Sequence, residues 1–385
     1  MARATHEVAD VIRLFGDALS REWVVTPARR RVMGALLACR TSVLGGHVES
    51  CDNCDYRRIA YNSCRNRHCP KCDGSRQAKW LEDRAKDLLP VEYFHVVFTM
   101  PEELASIALQ NKRVVYGSLF AASANTLRSI AADQKHLGAE IGFLSVLHTW
   151  SQDLRHHPHV HCVVPGGGLR PDGSWVACRP GFFLPVRVMS AMFRGKFVAA
   201  LRAAFERGEL RFQGSLEALS DPAAFATCLD RVMAKPWVVY SKPPFGGPEQ
   251  VLKYLARYTH RTAIGNRRIV DVDADTVRFL WRDRANGNRQ RTMALPGVEF
   301  LRRFLQHVLP RGFTRLRHYG FLANRARATR LAECRLRLGA PMPEAPSTTI
   351  TPCALRDDGC PACRTGRLVR QPWSFAETPE IADSS

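Results

Sequence analysis

Hydrophobic residues recur at helical intervals in several parts of the chain. Near the start they fall on one side of a helix at Val8, Val11, Ile12 and Leu14. This pattern predicts helix over about residues 1–45, and the same periodicity predicts helices over 103–136, 186–208 and 248–261. The last of these begins with a proline, which suits the first position of a helix.

Shorter apolar runs that end at proline or glycine predict strands between these helices. We expect buried strands over residues 91–101, 141–150 and 159–165, with the second and third paired antiparallel. Residues 267–283 predict a hairpin that turns near Asp273–Asp275. This order of elements predicts an α+β fold, in which helices flank a central antiparallel sheet.

Changes in composition divide the chain into four parts. We expect an N-terminal helix and cysteine-rich domain over 1–88, and the α+β domain over 89–290. A basic helical region follows over 291–338, and a linker with a cysteine-containing tail occupies 339–385. The linker is proline-rich, as in "GAPMPEAPSTTITP".

The charge balance indicates a polyanionic partner. The 385 residues carry a formal net charge of +20, and nucleic acid is the usual partner of such a basic protein. Within the basic C-terminal region, Arg311, Arg315 and Arg317 are candidates for phosphate contacts. The sequence has neither an apolar signal segment nor a run long enough to span a membrane, so we expect a cytoplasmic protein.

Cysteines indicate a structural metal. Two CxxC pairs, Cys51/Cys54 and Cys69/Cys72, predict one tetrahedral zinc ion with four thiolate ligands and no open position. His47, Cys64 and His68 are additional candidate ligands, for a second ion. A C-terminal zinc is a weaker candidate, because it has three cysteines and needs a fourth, with ligands drawn from Cys334, Cys353, Cys360 and Cys363.

The segment "HHPHVHCVVPGGG" indicates a second kind of metal site. His159 and His161 lie two apart in a predicted strand, so their imidazoles share one face. His148 on the preceding strand is the favoured third ligand, and Gln152 and His157 are alternatives. Buried histidines that are satisfied by hydrogen bonds are the competing structural interpretation. The glycines that follow either admit DNA to the metal or form a tight turn.

Two tyrosines supply candidate nucleophiles. Tyr254 and Tyr258 are four residues apart on a predicted helix and therefore share a face, although a core aromatic pair would have the same spacing. Nearby cations favour a role in DNA chemistry and include Lys253, Arg257 and Arg261. A histidine-bound metal that polarises a phosphate would let a phenol attack it and form a phosphotyrosine, which keeps the bond energy for rejoining.

These stretches together resemble a known family. His159-Val160-His161 is similar to the histidine-hydrophobic-histidine element of HUH endonucleases. "LHTWSQDLRHHPHVHCVVPGGGL", "YLARYTHRTAIGNRRI", "YNSCRNRHCPKC" and "FLQHVLPRGFTRLRHYGFLA" resemble the insertion sequence 91 family of rolling-circle transposases, over about residues 10–335.

The resemblance implies an HUH tyrosine nuclease domain of the two-tyrosine type over 89–290, behind an N-terminal zinc-binding domain. It implies that Tyr254 and Tyr258 are nucleophiles, that His159 and His161 bind the catalytic metal, and that a 5′-phosphotyrosine forms on single-stranded DNA. It further implies Mg²⁺ or Mn²⁺ at that site, zinc at the cysteines, and a helicase supplied by the replication machinery of a bacterial host, with the protein at the nucleoid.

Other functions use some of the same residues. A replication initiator or a relaxase would have the same nuclease chemistry, whereas a zinc-ribbon regulator would bind DNA without cleaving it. A tyrosine recombinase needs a nucleophile downstream of "RLRHYG", and no tyrosine follows Tyr319.

Overall fold

Two compact units share the chain, and each combines separated stretches of sequence. The computed structural model describes residues 4–72, 80, 83–242, 250–251, 254, 262–283, 286–341 and 359–371. The first unit comprises residues 1–79, 260–308 and 344–385, and the second comprises 80–259 and 309–343. These units differ from the four parts predicted from composition, since residues 260–308 join the N-terminal stretch.

A five-stranded sheet forms the centre of the second unit. Its strands are β3 (Tyr93–Thr99), β4 (Phe143–Trp150), β5 (His156–Pro165), β8 (Val239–Lys242) and β12 (Leu316–Tyr319). Their order is β12-β4-β5-β3-β8, and every neighbouring pair is antiparallel. The predictions of an α+β fold, a central antiparallel sheet and a β4–β5 pair are therefore confirmed.

Helices cover one face of this sheet. They are α3 (Ala105–Gln110), α4 (Lys112–Ala132), α5 (Val186–Glu206) and α6 (Pro222–Met233). Most side chains that alternate toward these helices are apolar, and they join one large core at Phe94, Val96, Phe98, Phe143, Leu147, Val160, Cys162 and Val164. A short hairpin, β6 (Gly167–Leu169) with β7 (Trp175–Ala177), and helix α8 (Arg327–Arg337) also belong to this unit.

The opposite face of the sheet has a smaller apolar cluster and several histidines. The cluster contains Tyr93, Leu144, Val146 and Val163, together with Val251, which, like Tyr254, has helical backbone. Because side chains alternate along a strand, this face is the one that carries the odd-numbered residues of β3 and β5 and the even-numbered residues of β4. The candidate site lies here.

The first unit has two small sheets and three helices in its described residues. The helices are α1 (Val8–Glu22), α2 (Pro27–Ala38) and α7 (Gly297–Leu305). One sheet has the order β13-β1-β2, with β1 (Gly46–Cys51), β2 (Arg57–Tyr61) and β13 (Leu368–Gln371). The other has the order β11-β10-β9, with β9 (Ile269–Val272), β10 (Thr276–Asp283) and β11 (Arg289–Pro296).

Several predicted elements agree with this structure and two do not. The hairpin at Asp273–Asp275 is confirmed, because Asp273 Oδ1 accepts hydrogen bonds from the backbone N–H groups of Asp275 and Thr276 at 2.9 and 2.7 Å. The long N-terminal helix is broken into two, since Pro27 starts a new helix after the Thr26 cap. The predicted basic helical region at 291–338 is wrong in part: Leu316–Tyr319 is an edge strand, paired with β4 through backbone hydrogen bonds.

Among the helices in the described part of the chain, none has both the length and the apolar character that crossing a bilayer requires.

The packing of α1 on α7 explains why residues 260–308 belong to the first unit. Gly297 begins α7, and a Cβ atom there would overlap the ring of Phe15 on α1. The absence of a side chain lets the helices approach closely, and Phe15, Phe300 and Leu301 are buried.

We expect Gly297→Ala to destabilise the first unit by about 1–3 kcal/mol, because the added methyl group overpacks the contact with Phe15. Thermal unfolding should show a lowered midpoint. Gly34→Ala in α2 is the matched control, since its Cβ would have no heavy atom within 4 Å. Equal midpoints for the two variants would contradict the close approach of α1 and α7.

Candidate active site

Three imidazoles converge on the histidine-bearing face of the central sheet. His148 lies directly opposite His159 in the β4–β5 pair, and His161 lies opposite Val146. One potential ligand nitrogen from each ring, in His148, His159 and His161, lies within 4.8 Å of the others. The alternation of β5 places His159 and His161 on the same face, and a register irregularity follows His148 at Trp150.

Hydrogen bonds orient two of these rings. Nδ1 of His159 lies 2.7 Å from the backbone carbonyl of His157, which accepts its proton. Nδ1 of His161 lies 2.8 Å from Nε2 of His95. In both rings the second nitrogen, Nε2, is thereby left as the candidate ligand atom, as is common for metal-binding histidines. His157 thus contributes a carbonyl that orients His159.

His95 is a further member of this histidine cluster, and the sequence analysis did not predict it. It lies on β3, opposite Val163 of β5, and its ring stacks on that of His161 with a centroid separation of 5.1 Å. Only 9% of His95 is exposed, and this burial lowers the pKa of its imidazole to about 4, so the ring is neutral near pH 7. The sequence contained one signal for this residue, which is a histidine within the apolar run "YFHVVF". Alternation along that strand directs it to the face that carries the other site histidines.

Tyr254 completes a chain of contacts that starts at His161. Its hydroxyl lies 2.6 Å from Nδ1 and 3.0 Å from Nε2 of His95. Because Nε2 is the atom that faces His161, the shorter Nδ1 contact is the better description of the hydrogen bond to the phenol. The phenol is therefore separated from a candidate metal ligand by one imidazole ring.

Several predicted site residues lie outside the described residues. These are the second tyrosine, Tyr258, and the cations Lys253, Arg257 and Arg261. Among the other predicted DNA contacts, Arg311 is exposed, whereas Arg315 and Arg317 are half-buried. The guanidinium of Arg317 lies 4.3 Å from the ring centroid of Phe120, so this residue packs onto the helix face of the sheet.

The glycines after β5 serve the packing of the protein. A Cβ atom on Gly166 or Gly168 would lie 2.8 or 2.6 Å from the backbone oxygens of Glu92 and Glu140, and on Gly167 it would lie 2.5 Å from Trp175. All three glycines are buried. Because Gly167 and Gly168 lie in strand β6, the predicted tight turn is wrong for these two residues, and the glycines instead permit close packing of the backbone.

The cysteines form two groups of four, and this arrangement corrects the predicted single zinc site. One group contains Cys39, Cys64, Cys69 and Cys72, and the other contains Cys51, Cys54, Cys360 and Cys363. The CxxC pairs that begin at Cys51 and Cys69 therefore belong to different groups. Strand β1 pairs with β13, and this pairing places Cys51 and Cys54 next to the cysteines of the C-terminal segment. Cys64, which the sequence offered as an additional ligand, belongs to the first group, whereas Cys39, which directly follows α2, was not predicted.

The remaining candidate zinc ligands that the structure describes are outside both groups. Nε2 of His47 lies 3.2 Å from a carboxylate oxygen of Glu49. His68 is in neither group, Cys334 is buried in a separate apolar cluster, and Cys353 lies outside the described residues.

The sulfur distances of the first group fit zinc. Sγ of Cys72 lies 3.2 Å from that of Cys39 and 3.6 Å from that of Cys64. Zn–S bonds of about 2.3 Å in a tetrahedron place sulfurs about 3.8 Å apart, so small movements would seat an ion. The backbone N–H groups of Cys64 and Asn66 donate to Cys39 Sγ and Cys64 Sγ at 3.5 and 3.4 Å, which stabilises thiolates.

Comparison with known families gives two matches. Residues 11–100 match the family described as "Transposase zinc-binding domain", and residues 142–330 match the family described as "Putative transposase". The first match contains the whole group around Cys39, which supports zinc as its metal. The second contains the three converging histidines and Tyr254.

Two transposases are similar to this chain over most of its length. "Putative transposase y4qJ" of Sinorhizobium fredii (strain NBRC 101917 / NGR234) is 55% identical over 381 residues, which cover 96% of this chain and 96% of that protein. "Transposase for insertion sequence element IS801" of Pseudomonas savastanoi pv. phaseolicola is 27% identical over 303 residues, which cover 75% of this chain and 69% of that protein.

Two solved structures of the conjugative relaxase TrwC are distant matches. One is a metal-free complex with OriT DNA, and the other is a complex with a 27-mer DNA that comprises the recognition hairpin and the cleavage site. Each is 15% identical and covers 65% of this chain, with 73% and 75% of the relaxase chains covered and TM-scores of 0.24 and 0.23. Likenesses this weak carry no argument about this chain.

We expect Cys39→Ser to lower the zinc content of the purified protein by one equivalent per chain, because the group around Cys72 loses a ligand. Elemental analysis by mass spectrometry gives the zinc-to-protein ratio. Cys178→Ser is the control, since Cys178 belongs to neither group. Zinc content equal to that of the control would show that Cys39 is not a ligand.

Proposed function

Since this chain belongs to the insertion sequence 91 family of transposases, we propose that it cleaves and rejoins single-stranded DNA through a 5′-phosphotyrosine. The observation that supports this chemistry is the contact chain from Tyr254 through His95 to His161. It brings a phenol nucleophile next to three imidazoles that can share an ion. A core aromatic pair would need neither the histidines nor their mutual orientation.

The donor set fits a divalent catalytic ion. Metal–nitrogen bonds of about 2.1 Å place two ligands of one ion at most about 4.2 Å apart. The three imidazole nitrogens lie within 4.8 Å of one another, so small movements of the rings would let them bind one ion. We propose Mn²⁺ or Mg²⁺, because imidazole tolerates the first and phosphate oxygens suit both. When bound, such an ion would neutralise and polarise the scissile phosphate.

The positions of the ring protons prepare Tyr254 for attack. With Nε2 of His161 as a ligand atom, its proton is on Nδ1 and is donated to Nε2 of His95. A neutral His95 then carries its own proton on Nδ1 and donates it to the oxygen of Tyr254. A hydrogen bond donated to the phenol oxygen favours the phenolate, which is the nucleophilic form.

The covalent step conserves the phosphodiester bond energy. The Tyr254 oxygen forms a bond to phosphorus, the bond between phosphorus and the 3′ oxygen breaks, and the phenol proton ends on the released 3′ hydroxyl. The reverse reaction with a different 3′ hydroxyl joins strands without ATP. We propose that Tyr258 acts as the second nucleophile and that Lys253, Arg257 and Arg261 contact phosphates.

The proposed partners follow from this chemistry. Single-stranded element ends and target DNA are the substrates, and the net charge of +20 favours their binding. Exposed Arg311 is available for a phosphate contact. We propose that a host helicase or the replication machinery provides the single strands, in the bacterial cytoplasm at the nucleoid.

An experiment can distinguish this proposal from the two other classes of function that the sequence allows. A replication initiator or relaxase would form the same adduct but would not join an element end to a target strand. A zinc-dependent regulator would bind DNA and form no adduct. Incubation of the protein with labelled end and target strands and Mn²⁺ therefore distinguishes all three.

We expect the double variant Tyr254→Phe with Tyr258→Phe to lower the yield of covalent protein–DNA adduct by more than about 10³-fold, because both nucleophilic oxygens are removed. DNA affinity should be retained. Denaturing gels detect the adduct on labelled single-stranded DNA, and the two single variants identify which tyrosine attacks first.

Tyr319→Phe is the matched control for this experiment. Tyr319 lies on the helix face of the same sheet, where its ring stacks on Phe143 with centroids 5.0 Å apart, and the variant keeps that ring. Adduct formation by the double tyrosine variant at the level of this control would refute the nuclease proposal.

We expect His95→Ala to slow adduct formation by about 10²-fold at neutral pH, because the phenol loses its hydrogen-bond donor. The loss should shrink above about pH 9, where more of the phenol ionises by itself. His95→Asn should recover part of the rate, because its amide can also donate. Rates measured over a pH series check this positioning role.

Calorimetric titration with Mn²⁺ controls for damage to the metal site, since His95→Ala leaves all three ligands in place. Exposed His136 provides a neutral substitution, His136→Ala. A rate deficit that is the same at every pH would leave His95 with a purely structural role.

A further inference from the structure

The second cysteine group combines residues that are more than 300 positions apart. Sγ of Cys51 lies 3.7 Å from Sγ of Cys363, and Sγ of Cys54 lies 3.6 Å from Sγ of Cys360. These separations are close to the edge of about 3.8 Å expected for four thiolates around zinc. They are far longer than the sulfur–sulfur bond of a disulfide, about 2.05 Å.

The backbone around this group forms a defined site. The strand β13 pairs antiparallel with β1, with Cys51 opposite Leu368 and Glu49 opposite Arg370. Two hydrogen bonds between Asp52 and Arg367 extend the contact beyond the paired strands. The Asp52 backbone N–H donates to the Arg367 carbonyl at 3.0 Å, and the Arg367 backbone N–H donates to the side-chain Oδ1 of Asp52 at 2.7 Å.

Hydrogen bonds also surround the sulfurs. The backbone N–H of Asn53 donates to Cys51 Sγ at 3.3 Å, and that of Gly366 donates to Cys363 Sγ at 3.2 Å. The Asn53 side-chain amide donates to Thr365 Oγ1 at 2.9 Å, which ties the two CxxC loops together. Such N–H···S bonds are typical of thiolates that hold a metal.

Gly366 permits the close approach of the two loops. A Cβ atom at this position would overlap Cys51 Sγ and would lie 2.7 Å from Asn53 Cβ and 2.8 Å from Asp52 Oδ1. The contact therefore depends on a residue with no side chain. The atom that a side chain at this position would overlap, Cys51 Sγ, is one of the four sulfurs that would bind the ion.

Apolar burial cannot hold the C-terminal segment in place. Of residues 359–371, only Cys360 and Gly366 are buried, and most of the others are exposed. A short segment with so little core needs another source of stability, which a tetrahedral ion supplies. The segment also carries exposed cations at Arg364, Arg367 and Arg370.

We propose that Cys51, Cys54, Cys360 and Cys363 bind a second zinc ion, which fastens residues 359–371 to β1. Two of its ligands lie outside residues 11–100, the range that matches the transposase zinc-binding family. The complete zinc-binding unit is then discontinuous in sequence. This inference is independent of the nuclease chemistry proposed above.

The test measures zinc in the full chain and in two kinds of variant. We expect Cys360→Ser with Cys363→Ser to contain one zinc equivalent fewer than Cys178→Ser, whose thiol is in neither group. We expect Gly366→Ala, which retains every thiol, to lack the same equivalent, because the added Cβ would overlap Cys51 Sγ. Gly117→Ala is its control, because a Cβ there would have nothing within 4 Å.

Two further measurements keep the result decisive if the double variant folds poorly. Cobalt-substituted wild-type protein should show about twice the thiolate-to-cobalt absorption of Gly366→Ala. Mass spectrometry after alkylation should find the four thiols protected by zinc and modified once it is chelated. Unchanged zinc in both variants, or a mass that shows disulfides between these cysteines, would overturn the proposal.

Discussion

The antiparallel pairing of β4 with β5 is the constraint on which the candidate active site depends. It sets His148 opposite His159 and sends every second side chain of both strands to the same face. A slip of one residue in this register would turn the histidines toward the helices and the core residues toward the site. The large apolar cluster on the helix face prevents such a slip, because Val160 and Cys162 are fully buried there. Packing on one face thus fixes the chemistry on the other.

Buried imidazoles make the histidine-bearing face costly to fold. Only 3% of His148 and 8% of His161 are exposed, and removing a polar ring from water costs free energy unless its nitrogens find partners. Here the partners are other functional groups: His161 contacts His95, and His95 contacts Tyr254. These contacts orient the three rings relative to one another. The interactions that offset the cost of burial therefore also orient Tyr254, the nucleophile that we propose.

Alternation with a period of two made most of the central sheet and the histidine trio predictable. Apolar runs bounded by proline and glycine identified β3, β4 and β5, and parity placed His159 and His161 together. His95 was not predictable in this way, because its partner is set by the β3–β5 register, and that register depends on tertiary packing. Leu316–Tyr319 was mistaken for helix for a related reason. Its neighbours are basic and mixed in pattern, and its strand conformation arises from hydrogen bonds to β4, a distant part of the sequence.

The cysteines show where spacing alone stops being informative. A CxxC pair specifies half of a tetrahedral site, but the other half is chosen by the fold. The sequence brings Cys51/Cys54 and Cys69/Cys72 close along the chain, and the simplest prediction joins them. In the structure, β2 and the loop after it separate the pairs, so that one meets Cys39 and Cys64 while the other meets Cys360 and Cys363. The second group joins stretches that are about 300 residues apart in the sequence. In the first unit the cysteine groups thus supply connections in addition to the apolar packing of α1 on α7, whereas in the second unit the extensive helix–sheet core supplies them.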